Sequence, residues 1–183
     1  VLSPMKNSVI GVHALNAALQ AGLNPVGVKS DNKIKRGDYF FCEGDKVIQL
    51  QNNYEKFIMN GDIGFIHHIN KKEGVIEVLF HSALDDEDVV PVSYKVHELD
   101  QLTLAYATTI HKSQGSEFSI VVMPISTQHY IMLQRNLLYT GITRGKMLVI
   151  LIGQRDALKI AVENNTTARR ITNLKDQLTD LAI

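Results

Sequence analysis

The segment Thr109–Phe118, which reads TIHKSQGSEF, is a dense cluster of side chains that can bind a ligand. It supplies an imidazole, an ammonium, hydroxyls, an amide, a carboxylate and a glycine between two apolar runs. Polar segments between buried strands commonly lie at the carboxyl edge of an open α/β sheet, where ligands bind. We therefore predict a ligand site here. A polar strand-to-helix loop without a ligand is the alternative.

The residue types in this segment favour a nucleotide or a nucleic acid. A helix that begins after a strand offers free N–H groups and the positive end of its dipole to a phosphate, and Gly115 lets a ligand approach the backbone closely. Thr109 and Ser113 can donate hydrogen bonds to phosphate oxygens, and His111 can bond to a phosphate or stack on a base. Glu117 repels phosphate but can accept hydrogen bonds from ribose hydroxyls.

A second candidate lies at a helix-to-strand junction, in the segment Tyr139–Lys146. Arg144 falls in the last predicted helical turn, before a terminating Gly145. A cation there complements the helix dipole by ~0.3–1 kcal/mol without any further function. The functional interpretation is an arginine that reaches the γ-phosphate of a bound nucleotide, as arginine fingers do. Lys112 likewise has a simple alternative as a solvated surface charge.

Other kinds of site are not supported by the spacing of the residues. The nearest match to a phosphate-binding P-loop, Gly141–Met147, has three residues between its glycines instead of four and ends in methionine. The acidic run 85–88 has no P-loop to act with and is predicted to be a solvated turn. His67 and His68 are predicted to face opposite sides of a strand, with no further zinc ligands at suitable spacing. We predict no metal site and regard the chain as incomplete as an ATPase.

The composition is that of a globular protein. The 183 residues suffice for one domain with a small insert, and 45% of them are hydrophobic. Lys plus Arg equals Asp plus Glu at 19 each, so a basic groove would have to be local. A single cysteine, Cys42, favours a reducing compartment, and the cytoplasm is expected. No apolar run approaches the roughly 20 residues that cross a membrane, and the chain begins as though cut from a longer one.

The hydrophobic period changes twice along the chain. Residues 1–36 predict a short strand and a helix that ends at Asn24-Pro25. Residues 37–100 predict a small antiparallel barrel of short strands at 46–51, 57–59, 62–66, 75–80 and 89–93, with turns at Asn60-Gly61 and 70–74. Most of the aromatic rings in this zone are expected to pack in its core rather than to form a stacking platform; they are Tyr54, Phe57, Phe65 and Phe80.

Residues 101–183 predict an α/β unit. Strands at 102–108, 120–125 and 146–152 are almost continuously apolar, as in parallel strands covered on both faces. Helices are predicted around residues 130–138, at 156–164, and at 168–178 with Thr167 as the cap. The fold class is therefore α/β, a parallel sheet with flanking helices formed by 1–36 and 101–183 and interrupted by a small antiparallel β-barrel insert at 37–100.

These segments resemble the carboxy-terminal motor half of superfamily 1 DNA helicases, and most closely the RecD-like branch. Thr109–Phe118 is similar to helicase motif V, and Leu137–Lys146 (LLYTGITRGK) is similar to motif VI. Leu2–Lys6 with the following helix resembles the motif IV region. Residues 44–49 and 60–64 resemble the start of the Src-homology-type barrel that this branch inserts in its second RecA-like domain.

The resemblance implies a role for each matched residue. Glu117 and Gly115 would contact the ATP ribose, and Arg144 would be the arginine finger and the catalytic residue. The contacts to single-stranded DNA would come from motif V; they are Thr109, His111, Lys112 and Ser113. ATP and Mg²⁺ would be cofactors of the full-length protein, with neither expected to be bound to this chain alone.

The same resemblance implies an ATP-dependent 5′–3′ DNA helicase that acts in repair or recombination. Its partners would be single-stranded DNA, the first RecA-like domain of the same protein and, as further candidates, exonuclease subunits; a membrane is not expected. The P-loop domain is not among these residues, so the isolated chain is predicted to be inactive. Two alternatives remain open from the residues themselves. They are a module that binds single-stranded nucleic acid without ATP, and a module that docks a partner subunit.

Overall fold

A computed structural model describes residues 1–81 and 89–165 of the chain. Within these residues the α-helices are α1 (Val12–Leu23), α2 (Pro25–Lys29), α3 (Arg135–Ile142) and α4 (Arg155–Glu163). The strands are β1 (Leu2–Ser3), β2 (Lys33–Arg36), β3 (Tyr39–Cys42), β4 (Lys46–Gln49), β5 (Ile63–Asn70), β6 (Val75–His81), β7 (Val89–Lys95), β8 (Leu102–Leu104), β9 (Thr108–Thr109), β10 (Phe118–Ile125) and β11 (Gly145–Gly153). Short 3₁₀ helices occupy Val96–Gln101, His111–Ser113 and Thr127–Met132.

The middle of the chain forms an antiparallel β unit. Its main sheet has the strand order β7-β6-β5-β4-β8, and β2 and β3 form a separate hairpin. Alternate residues of these strands point inward, and their apolar side chains form one core that includes Phe41, Val47, Phe80 and Tyr94. This unit confirms the predicted antiparallel insert.

The two flanks of the chain form the α/β unit. β1 pairs in parallel with β9, and β10 pairs in parallel with β11. Leu2, Ile110 and Val121 share a second core with residues of α3 and α4, so the parallel pairs and these helices pack together. The predicted α/β class is therefore confirmed. The division at residues 36 and 101 remains a prediction.

A buried carboxylate joins the two units. Asp45 is fully buried, and its two oxygens accept four hydrogen bonds of 2.6–2.9 Å. The donors are the side chains of Gln20 on α1, Asn24 after α1 and Tyr106, together with the backbone N–H of Cys42. Burial, followed by the charge of Asp45, raises the pKa of Tyr106, so its hydroxyl remains a donor.

Several predicted elements differ from the structure. The strand predicted at 102–108 is two strands: Leu102–Leu104 pairs antiparallel with β4, and Thr108–Thr109 pairs parallel with β1. An apolar run alone cannot show this change of sheet, because both halves are buried. The helix predicted around residues 130–138 is interrupted, since the 3₁₀ helix ends at Met132 and α3 begins at Arg135. Predicted helix 156–164 is confirmed as α4.

The β unit also departs from its prediction in detail. Residues 57–59 form only an isolated bridge, Asn53 to Ile58, instead of a strand. Asn60-Gly61 lies in a turn closed by the hydrogen bond from Asp62 N to Met59 O, and Gly61 alone has positive φ there. A β-bulge between Ile66 and His68 interrupts the regular alternation of side chains, and both His67 and His68 are exposed.

Exposure of apolar side chains corrects two further expectations. Phe57 is 86% exposed, and Tyr54 and Phe65 are exposed as well, so of the four rings only Phe80 is a core residue. The described residues do not cover β11 on both faces, because Met147 is 83% exposed and several of its neighbours are exposed too. The acidic run at 85–88 and the helix predicted at 168–178 lie outside the described residues. No helix among the described residues is long and apolar enough to cross a membrane.

His129 is a buried histidine that predicts a pH-dependent stability. Its Nε2 lies 3.4 Å from Ser8 Oγ, its Nδ1 has no hydrogen-bond partner in the described part of the chain, and burial lowers its pKa below 6.5. The folded state therefore keeps His129 neutral while the unfolded chain binds a proton, so folding stability falls as pH drops below about 6.5.

We expect the free energy of unfolding, measured with urea, to fall between pH 7.5 and 5.5, and His129 should account for about 1 kcal/mol of that fall. His129→Leu should remove that part of the pH dependence, whereas His13→Leu, at an exposed histidine of α1, should keep it. An identical pH dependence in the His129→Leu variant and the unaltered chain would contradict this assignment.

Candidate functional site

The polar loop 110–117 connects two strands through a single 3₁₀ turn. The turn covers His111–Ser113 and leads into β10, so no α-helix begins in this loop. Ser113 is 1% exposed, and its hydroxyl donates to the carbonyl of Ile110 at 2.7 Å. Thr109 Oγ1 accepts a hydrogen bond from the backbone N–H of Lys112 at 3.2 Å. In this conformation Ser113 stabilises the turn instead of facing a ligand.

Glu117 and Arg144 lie side by side because their strands are paired. Phe118 is the register partner of Gly145, and the residues immediately before them are Glu117 and Arg144. The backbone N–H of Phe118 donates to the carbonyl of Arg144 at 2.8 Å. Both side chains therefore lie at the amino ends of β10 and β11. The ligand site was expected at the carboxyl edge of the sheet. This is wrong for the end of the loop, because the chain leaves β9 at the carboxyl end of that strand but enters β10 at the amino end of β10.

The guanidinium of Arg144 is held by the loop 110–117 and by residues at the end of α3. Nη1 donates to Ser116 O at 3.2 Å, Nε to Thr140 O at 3.3 Å and Nη2 to Thr143 Oγ1 at 3.3 Å. These are long bonds, and they use three of the five N–H donors of a guanidinium. The head group is thus oriented beside the loop 110–117 while two donors remain for an anion.

Glu117 pairs with a lysine from the neighbouring strand. Its Oε2 lies 3.2 Å from Lys146 Nζ, and both side chains are more than half exposed. Exposed pairs of this kind contribute little to stability and are readily exchanged for another partner. Gly115 has φ +88°, a conformation that other residues rarely adopt, and the space beside it is open. The loop can therefore present its backbone and the Glu117 carboxylate to a ligand.

A shallow basic groove lies at the beginning of the loop. It is lined by Pro4, Lys6, Thr109, His111 and Lys112. β1 and β9 are neighbours, with Ser3 opposite Thr109, so the segments that leave these two strands meet here. Partial burial and then the positive charge of Lys6 lower the pKa of Lys112. Two cations that face each other in this way would gain from an anion placed between them.

Sequence reasoning missed two residues of this site. Lys6 was not singled out. Because Ser3 lies opposite Thr109 when β1 and β9 pair, Lys6, three residues beyond Ser3, lies near Lys112, three residues beyond Thr109. Lys146 was included in the motif VI match but not as the partner of Glu117. Among the described residues, no group of three or more His, Cys, Asp or Glu side chains is placed to hold a metal ion.

Comparisons with known families agree with this geometry. The profile of the UvrD-like helicase C-terminal domain matches residues 104–152, which contain the loop 110–117 and Arg144. The profile of the ATP-dependent RecD-like DNA helicase SH3 domain matches residues 15–80. Two solved structures with a similar fold are Pif1 helicases, from Bacteroides in complex with ADP-AlF3 and ssDNA and from Candida albicans. Each has a TM-score of 0.55, at 18% and 16% identity, over 98% and 99% of this chain and 44% and 50% of theirs.

Full-length relatives match nearly the whole chain. The ATP-dependent RecD2 DNA helicase of Deinococcus radiodurans is 34% identical over 176 residues, which is 96% of this chain and 23% of the relative. The RecBCD enzyme subunit RecD of Buchnera aphidicola is 29% identical over 174 residues, which is 91% of this chain and 26% of the relative. The segments matched in this chain are therefore those of a helicase carboxy-terminal domain and of the SH3 domain of RecD-like helicases. The resemblance to RecD-like helicases that the sequence indicated is confirmed, and the chain spans about a quarter of the length of these relatives.

Proposed function

We propose that this chain is the carboxy-terminal motor region of an ATP-dependent DNA helicase of the RecD-like family. The observation that carries the proposal is the pairing of β10 with β11, which sets Glu117 beside Arg144 at one rim. The proposed nucleotide site then lies at the carboxyl end of the loop 110–117, beside Glu117, and the basic groove lies at the amino end of the same loop. A single short loop thus connects the two ligand sites that a translocating motor must couple.

On the nucleotide side, Arg144 is the catalytic residue and acts as an arginine finger. Its guanidinium is oriented by the Ser116 carbonyl and still has donors for the γ-phosphate. Glu117 accepts from the ribose hydroxyls once it leaves Lys146, and Gly115 permits the close approach. ATP and Mg²⁺ are cofactors of the full-length protein. The magnesium ligands and the P-loop would come from the first RecA-like domain, and magnesium bound there would neutralise phosphate charge.

On the DNA side, the contacts come from Thr109, His111 and Lys112, together with Lys6. The two lysines supply charge for consecutive phosphates, and the exposed His111 ring can stack or hydrogen-bond. Ser113, the fourth residue that the resemblance implied, acts indirectly by holding the 3₁₀ turn through Ile110. A shift of Arg144 toward a nucleotide would pull on Ser116 and so displace the same loop that holds the strand.

The wider functional setting follows from the family. We propose translocation in the 5′–3′ direction, a cytoplasmic location, and an insert within residues 37–100 between the flanks 1–36 and 101–183. The pairing of β8 with β4 supports adding Leu102–Leu104 to that insert. Single-stranded DNA and the first RecA-like domain are the required partners. Subunits of an exonuclease complex are further candidates, since relatives include the RecBCD enzyme subunit RecD.

The two alternatives, an ATP-independent binding module and a docking module, are not favoured. Neither requires an arginine and an acidic residue on adjacent strand ends, and both family profiles describe helicase domains.

The proposal is tested by ATP hydrolysis of the full-length protein as a function of single-stranded DNA concentration. We expect Lys6→Gln with Lys112→Gln to raise the DNA concentration for half-maximal stimulation about tenfold at ~0.1 M salt. It should reduce the salt slope of binding by about 1.4, because each phosphate contact on a single strand contributes ~0.7. The rate at saturating DNA should stay near that of the unaltered protein.

The matched control is Lys29→Gln with Lys72→Gln, which removes two exposed lysines on α2 and on the β5–β6 turn. This control should leave both the salt slope and the half-maximal concentration unchanged. Absence of stimulation by single strands in the unaltered full-length protein would refute the helicase function. Equal salt slopes in the two double variants would refute the assignment of the basic groove.

A further inference from the structure

A small polar pocket lies beside the basic groove, between the loop 110–117 and the start of α3. The polar side chains that line it are His111, Gln114, Gln134, Asn136 and Thr140, and Met132 and Leu137 form its apolar part. Its volume is about 110 Å³. A single water needs ~10–15 Å³ on the same measure, so the pocket has room for a ring-sized group.

The chemistry of this lining selects a neutral ligand. Amides, a hydroxyl and an imidazole surround the pocket, and neither a lysine, an arginine nor a carboxylate is among its lining residues. A phosphate would therefore find no counter-charge there. The cations Lys6 and Lys112 line the neighbouring groove instead. The positively charged groove and the neutral polar pocket thus lie next to each other, just as a nucleotide has a charged phosphate next to a neutral base.

The pocket amides have hydrogen-bonding capacity to spare. Within residues 1–81 and 89–165, the side-chain amides of Gln114 and Gln134 make no hydrogen bond. Asn136 Oδ1 accepts only from the adjacent backbone N–H of Leu137 at 2.8 Å, which leaves its NH₂ group available. Thr140 Oγ1 donates to Asn136 O at 2.8 Å and keeps its lone pairs available for a donor.

The two surfaces are continuous through one residue. His111 lines both the polar pocket and the basic groove. A strand whose phosphates lie against Lys6 and Lys112 and that continues toward α3 would therefore pass the His111 ring. We propose that the polar pocket holds one base of that strand, with His111 at its entrance and Gln114 and Gln134 hydrogen-bonded to the base edge. This inference rests on the proposed binding of single-stranded DNA.

The pocket should accept different bases with similar affinity. Each primary amide offers both a donor and an acceptor and can turn to match either kind of group on a base edge. Met132 and Leu137 supply an apolar surface that suits the face of any base. The helix that bears Asn136 and Thr140 continues directly to Arg144, whose Nε bonds to the Thr140 carbonyl. A base in this pocket would therefore contact the same helix that positions the arginine.

The test compares binding of an intact 12-residue oligothymidylate with binding of the same strand carrying one abasic residue, moved through successive positions. The full-length protein is used without nucleotide, and binding is followed by fluorescence anisotropy. We expect one position at which the abasic residue weakens binding about tenfold, from lost stacking and two lost hydrogen bonds. At that position, Gln114→Leu with Gln134→Leu should bind the intact and the abasic strand with nearly equal affinity. Gln128→Leu, at an exposed amide outside the pocket, should keep the tenfold difference.

Three outcomes would overturn the inference. The first is an unaltered protein that binds every abasic strand as tightly as the intact one, a result that does not depend on whether any variant folds. The second is the same intact-to-abasic ratio in the Gln114/Gln134 double variant and the unaltered protein. In both cases salt-dependent DNA binding would persist and the proposed function would stand. The third is the absence of any single-strand binding, which would refute the proposed function and this inference together.

Discussion

Replacing Arg144 by alanine in the full-length protein is expected to lower the rate of DNA-stimulated ATP hydrolysis by about 10³–10⁵-fold. Affinity for single-stranded DNA should change by less than about threefold, because Arg144 is not among the residues that line the basic groove. The physical reason is that charge develops on the transferred phosphoryl group in the transition state. A guanidinium already oriented beside that group stabilises the charge without having to reorganise.

Arg144→Lys distinguishes positive charge from geometry. A lysine keeps the charge but has no planar fork of donors, so it cannot bond to Ser116 O and to a phosphate in the same orientation. We expect the lysine variant to lose most of the activity as well. Arg135→Ala is the matched control, since Arg135 is an exposed arginine at the start of the same helix whose Nε donates to Val162 O. Near-normal turnover in Arg144→Ala would refute the arginine-finger assignment.

Folding of the Arg144 variant can be checked separately. Its side chain makes three long hydrogen bonds at a partly exposed site, so its removal should cost only about 1 kcal/mol of unfolding free energy. A loss of activity together with a larger loss of stability would indicate that the loop 110–117 has collapsed. Urea unfolding of the same samples measures this directly.

Replacing Asp45 by alanine is expected to give the largest loss of stability, roughly 4 kcal/mol or more. The carboxylate accepts from Gln20, Asn24, Cys42 and Tyr106, and alanine would leave all four donors without this acceptor inside the protein. Hydrogen bonds to a charged group contribute about 1.5–3 kcal/mol each, and leaving buried donors unpaired costs further free energy. Since domains are stable by only ~5–15 kcal/mol, a large part of the total would be lost.

Thermal and urea unfolding of the chain measure this effect. For a chain of this size 1 kcal/mol corresponds to roughly 2–4 °C, so the melting temperature should fall by about 8–16 °C. Asp45→Asn should be intermediate, because its NH₂ group would face two donors while its remaining oxygen still accepts. The exposed Asp100 serves as control, and Asp100→Ala should change stability by less than about 0.5 kcal/mol. A loss below 1 kcal/mol in Asp45→Ala would show that the junction does not depend on this carboxylate.

The two substitutions separate two properties of the molecule. Arg144 serves the reaction and contributes little to folding. The hydrogen-bond partners of Asp45, in contrast, include neither Glu117 or Arg144 nor a residue that lines the basic groove. Asp45 instead ties α1 and the Tyr106 segment to the start of β4. Because Tyr106 lies just before β9, its hydrogen bond to Asp45 also fixes the position at which the loop 110–117 begins.

The sequence by itself determined the class of fold and the two segments that carry the chemistry. Local patterns suffice for this: β10 and β11 are almost continuously apolar runs, the turn at 70–74 has its turn residues, and motifs V and VI are contiguous in the chain. Arg144, Glu117, Thr109, His111 and Lys112 could all be proposed from such segments. The resemblance extended the prediction to the insert.

The tertiary structure alone decided which of those residues lie together and which face a ligand. Lys6 meets Lys112 only because β1 pairs with β9, a contact between residues more than a hundred positions apart. Ser113 was expected to face DNA, yet the 3₁₀ turn buries it. The residues 102–108 were expected to form one strand, yet they divide between two sheets, because an apolar pattern reports burial but not which partner provides it. Strand pairing and burial are long-range properties, so a local pattern can name candidate residues while only the folded chain can bring them together.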